Sequence, residues 1–91
     1  MDAPALFEAV LDEGQVEALF RDLATCEPVR AQVREPERAV LSLEEAARRL
    51  RDREVRAVQV WYGHEGAAWC DTLTQTEGGV RLVRIRLMAD G

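Results

Sequence analysis

The side chains able to do covalent or metal chemistry are few and scattered. The 91-residue chain has one histidine (His64), one serine (Ser42), two cysteines (Cys26 and Cys70) and no lysine; all twelve basic residues are arginine. Without lysine, a Schiff-base nucleophile, a lysine general base and a phosphate-loop lysine are all excluded. A metal site would have to draw on His64, Cys70, Asp71 and Cys26. No C-x-x-C, H-x-x-H or H-E-x-x-H spacing is present, and one His with two scattered Cys does not close a tetrahedral zinc shell without a carboxylate. Cys70 could meet His64 across a neighbouring turn, but no third group orients that pair. Asp71 has no second carboxylate placed to share acid–base work. The expectation is a non-enzymatic chain with no metal and no cofactor; a small enzyme or metal-binding protein using His64, Cys70 and Asp71 is an alternative.

The elements that must position these residues follow from periodicity and capping. Leu6, Phe7, Val10 and Leu11 fit one face of a helix entered at Asp2 and Pro4. A break at Asp12–Gln15 looks like a capping box, after which Val16, Leu19, Phe20 and Leu23 continue at helical spacing. Pro28 ends the segment, which is one kinked helix or two short ones. Val29, Ala31 and Val33 alternate with Arg30, Gln32 and Arg34, which predicts a half-buried strand. Positions 35–38, Glu-Pro-Glu-Arg, read as a turn. Ala39-Val40-Leu41 is a short return strand or a run into the next helix. That helix has the clearest start in the chain, with Ser42 as N-cap and Glu45 at N3. Its apolar stripe is Leu43, Ala46, Ala47 and Leu50, and its arginines fall in the last turns, where the helix dipole favours positive charge.

Three strand-like runs close the chain: 55–62, 67–75 and 80–87, separated by Gly63-His64-Glu65-Gly66 and by a turn near Glu77-Gly78-Gly79. This predicts a single α+β domain over 1–91, with two to three helices packed on one face of a three- to five-stranded antiparallel sheet ending in a meander. A four-residue loop over 63–66 sets Val60 opposite Trp69 and Val58 opposite Asp71. A three-residue turn over 77–79 sets Val83 opposite Leu73 and Ile85 opposite Asp71, which gathers the most apolar side chains on one face. On that register Val58, Val60, Tyr62, Trp69, Leu73, Val83, Ile85 and Leu87 form the core. The open face then carries Trp61, Gln59, Arg84 and Arg86, the expected partner-binding set, because Trp and Arg are enriched at interaction hot spots. Asp71 falls among the aliphatics as a buried polar group that needs a partner, with backbone N–H groups or Arg56 as candidates.

Composition bounds the function class. The net charge is −5, with 47% hydrophobic and 32% charged residues, an ordinary globular balance. The acids crowd the first 27 residues. That argues against nucleic acid, although a Trp/Arg sheet surface binding single strands is the second alternative. No run of about 20 apolar residues is present for a membrane span. With no basic, apolar leader at the N-terminus, the expected location is a bacterial-type cytoplasm, where both cysteines stay reduced. The functional expectation is a protein-interaction or accessory module that docks on a larger protein or self-associates through its sheet face or edge.

Overall fold

The computed structural model describes residues 6–26, 29–35 and 39–87. The elements run β1 (Leu6–Leu11), α1 (Glu13–Leu23), β2 (Val29–Glu35), β3 (Ala39–Leu41), α2 (Leu43–Arg51), β4 (Ala57–His64), β5 (Ala67–Thr76) and β6 (Gly79–Leu87). The six strands form one antiparallel open sheet in the order β1-β6-β5-β4-β2-β3. Two helices pack on one side of it. No helix among the described residues is long and apolar enough to cross a membrane.

Both helices start where their caps place them. Asp12 accepts from the Gln15 backbone N–H at 2.8 Å, and the Gln15 side chain accepts from the Asp12 N–H at 2.9 Å. Ser42 Oγ accepts from the Glu45 N–H at 3.1 Å. α2 ends in a Schellman motif: Glu54 N–H reaches Arg49 C=O and Arg53 N–H reaches Leu50 C=O, with Arg53 in the left-handed conformation at φ 58°. Glycine is the usual residue at that position.

The segment 6–11 is a strand, not the helix its spacing predicts. An N-cap has extended backbone, and Asp12 sits at φ −84°, ψ 176°; the chain therefore enters it as readily from a strand as from a loop. All six residues pair with β6, from Leu6 opposite Ile85 to Leu11 opposite Val80. Six residues are too few for a stable helix, and the ladder satisfies their backbone groups. The helical start at Asp2 and Pro4, the stop at Pro28 and the turn at 36–38 lie outside the described residues.

Two hairpin turns set the register, and both are tighter than the sequence reading. β4 and β5 meet at a two-residue turn, Glu65-Gly66, with φ 49° and 78° and His64 opposite Ala67. Positive φ at both central residues is the type I′ geometry, whose twist matches that of the flanking strands. Val58 therefore lies opposite Leu73 and Val60 opposite Asp71, a slip of two from expectation that leaves the faces unchanged. β5 and β6 also turn through two residues, Glu77-Gly78, with Thr76 opposite Gly79. Here the slip is one, so every β6 side chain changes face. Leu82 lies opposite Leu73 in the core, while Val83, Ile85 and Leu87 point to the open side. A β-carbon on Gly79 would stand 2.6 Å from the Leu11 carbonyl oxygen, so the β1–β6 crossing requires glycine there.

The core lies between the sheet and the helices. Val16, Phe20 and Leu23 of α1 and Ala46 and Leu50 of α2 pack on Ala31, Val33, Val58, Val60, Tyr62, Leu73 and Leu82. Each fully buried large aliphatic side chain contributes roughly 1.5–3 kcal/mol.

Candidate functional site

Strand alternation sorts the chemistry-bearing residues onto two faces. On the helix side, β5 presents Trp69, Asp71 and Leu73, and β6 presents Leu82, Arg84 and Arg86. Asp71 is completely buried. Its partner is Arg84, directly opposite on β6, rather than Arg56. Arg84 Nε donates to Oδ1 at 2.9 Å and Nη2 donates to Oδ2 at 2.9 Å, a two-point pair. Tyr62 completes the group, its hydroxyl donating to Asp71 Oδ1 at 3.0 Å. The Arg84 guanidinium lies 6.0 Å from the Tyr62 ring centre.

The electrostatics follow from this geometry. Burial, then the Asp71 charge, push the Tyr62 phenol above its ordinary range, opposed by Arg84. The hydrogen bonds to Asp71 hold Arg84 even more firmly protonated. With every Asp71 oxygen engaged, the carboxylate is a structural anchor. Oδ1 accepts two hydrogen bonds and Oδ2 one, all within the buried group.

Arg84 and Arg86 therefore leave the open face assigned to them by the sequence reading. The apolar count had favoured Val83, Ile85 and Leu87 as core residues. A buried carboxylate without a cation costs more than three half-exposed aliphatics, and the two-residue turn places Arg84 where the carboxylate needs it.

The open face carries a different set. Trp61 is half-buried, with the Arg30 guanidinium 4.8 Å from its ring centre. Gln59 Nε2 donates to Thr72 Oγ1 at 3.2 Å. Cys70 is buried at the centre of this face, and burial pushes its thiol up. Around these lie large apolar side chains in water: Val40 is 70% exposed, Val10 60%, Leu6 54%, Ile85 42% and Leu87 38%. Glu8 accepts from Arg81 at 3.2 Å on the outer two strands. Arg30, Val40, Leu6, Val10, Ile85 and Leu87 were absent from the residues expected at this surface. The two-residue Glu77-Gly78 turn was the signal that would have found the β6 members.

The alternative chemical set does not assemble. Cys70 and Asp71 are adjacent in sequence and so point to opposite faces. His64 is exposed at the turn, its Nε2 3.7 Å from Glu65. Cys26 is a half-buried free thiol beyond the end of α1, its Sγ 3.8 Å from the Asp22 carbonyl oxygen. No group of three metal-ligating side chains occurs among the described residues. No protein-family model, curated protein or solved structure matches the chain.

Proposed function

We propose that the chain is a self-associating interaction module whose occupant on the open sheet face is a second copy of itself. The observation that carries this reading is a sheet face that no helix covers, with Leu6, Ile85 and Leu87 exposed together on β1 and β6, Val10 further along β1, and Val40 exposed at the opposite edge. Apolar side chains exposed singly are ordinary, but a cluster such as that on β1 and β6 marks a contact surface.

The dimensions suit a dimer. Five interstrand spacings of ~4.8 Å and strands of about seven residues at ~3.3 Å give a face of roughly 24 by 23 Å. With side-chain relief this approaches the ~800 Å² per partner of a standard interface. Two such faces stack about 10 Å apart, as in a sandwich. A twofold axis along the strands, between β4 and β5, lays β2 over the partner's β6 and β3 over the partner's β1. By the ladder register, Val40 then lies at the level of the partner's Glu8, flanked by the partner's Leu6 and the partner's Val10, and Arg30 lies at the level of the partner's Ile85. The aliphatics on either side of the partner's Glu8 are the apolar contacts this twofold packing offers Val40.

The placement of Arg84 and Arg86 on the helix side weighs against the single-stranded nucleic-acid reading. That reading set Arg81, Arg84 and Arg86 with Gln59 and Trp61 on or beside one surface, and of the three arginines only Arg81 lies on the open side. The test is sedimentation by analytical ultracentrifugation across a concentration series. The wild-type chain is expected to dimerise at micromolar concentration, and Ile85→Asp and Val40→Asp to weaken association by about a hundredfold each, since they bury a charge at the contact. A chain that stays monomeric at several hundred micromolar overturns the proposal.

A further inference from the structure

The helix side carries a second feature that the core does not absorb. Where the first turns of α1 approach the end of α2, a cleft of about 270 Å³ opens above the β5–β6 end of the sheet. Its lining is mainly apolar, from Leu11, Val16, Phe20, Ala47, Leu50 and Val80, with Gln75, whose Nε2 donates to the Leu50 carbonyl oxygen, as a polar member. Its rim is divided by charge, with Glu13 and Glu17 on the α1 side and Arg51 and Arg53 on the α2 side.

The arginines of α2 are not equivalent. Arg48 is taken up by Glu45, Asp52 and Glu54, and Arg49 by Glu45. Arg51 reaches only Asp52, at 3.4 Å. Arg53 has no acidic partner among the described residues. It also stands at φ 58°, where glycine would be less strained. An arginine that makes no ion pair with the described acids and lines an apolar cleft is a two-point donor for a carboxylate.

We propose that this cleft binds a medium-chain aliphatic carboxylate, with the chain inside and the head group on Arg53 and Arg51. Glu13 and Glu17 repel the head from the opposite rim and so set its direction. The cleft is large enough for an aliphatic chain of several carbons. The site is independent of the open face, which lies on the other side of the sheet.

The experiment is an NMR titration of the full chain with hexanoate, octanoate, decanoate and octylamine, each below its micellar concentration, following the Val16, Leu50 and Val80 methyls. Affinity is expected to rise about three- to fourfold per added methylene and to level off once the cleft is full. Octylamine is expected to bind at least tenfold more weakly than octanoate. Arg53→Gly is expected to weaken octanoate binding severalfold while leaving the melting temperature equal or higher, because glycine suits that backbone position. A purely structural Arg53 would show no such split. Absence of shifts at these methyls, octylamine binding as tight as octanoate, or Arg53→Gly binding as wild type would each overturn the proposal.

Discussion

The two faces of the sheet are built from the same strands yet meet different demands. On the helix side, Val58, Val60 and Leu73 are fully buried, and the one charge placed among them, Asp71, is bonded by Tyr62 and Arg84. On the open side, Ile85 and Leu87 of β6 stay more than a third exposed, and polar side chains pair locally, Gln59 with Thr72 and Arg81 with Glu8. The strand β6 contributes to both, with Leu82 and Arg84 facing the helices and Val83 and Ile85 facing the open side. Burial thus follows what covers a position and what its neighbours need, not hydrophobicity alone.

The contrast is broken most severely at Leu73. Leu73→Ala removes a fully buried side chain and is expected to destabilise by about 3 kcal/mol, measured by urea unfolding. Arg84→Met should cost nearly as much, roughly 2–3 kcal/mol, because it strands the Asp71 carboxylate without its cation. Pairing it with Asp71→Leu is expected to recover most of the loss, which separates the need for a partner from any net gain from the pair.

Smaller effects sharpen the same comparison. Tyr62→Phe removes one buried hydrogen bond and should cost about 1 kcal/mol at neutral pH. Because the folded-state pKa of Tyr62 is raised, its contribution is complete below the unfolded value of about 10 and is lost as pH rises beyond it. Tyr62 is the only tyrosine, so ultraviolet titration reads it alone. In the folded chain it should remain protonated at about pH 11, where the chain in denaturant is mostly ionised. Ser42→Ala, which removes the α2 cap, is also expected to cost about 1 kcal/mol. Least affected is Ile85→Asp, expected to change the stability of the dilute monomer by no more than about 0.5 kcal/mol. A large loss there would mean that Ile85 is held by the fold itself and not by a partner.

Much of this was legible in the residues. The capping groups Asp12, Gln15 and Ser42 lie within the helix-starting turns, so their partners are three residues away and need no tertiary context. The alternation of Val58, Val60 and Tyr62 with Gln59 and Trp61 likewise showed which side of β4 is buried. The isolated position of Asp71 among aliphatics was visible too, but its partner was not, because Arg84 lies thirteen residues away and meets it only through one particular register.

What the sequence by itself determined, then, is the pair of capped helices, the strand character of β2, β4, β5 and β6, and the need of Asp71 for a partner. All of these rest on contacts within a few residues or on a period of two. The tertiary structure alone decided that residues 6–11 form an edge strand, where an apolar spacing compatible with a helix was overridden by a ladder to β6. It also decided which side of β6 faces the helices. A one-residue difference in turn length inverts a strand at almost no local cost, so that choice falls to distant partners: the carboxylate of Asp71, the packing of Leu82 on Leu73, and the close approach of Gly79 to Leu11.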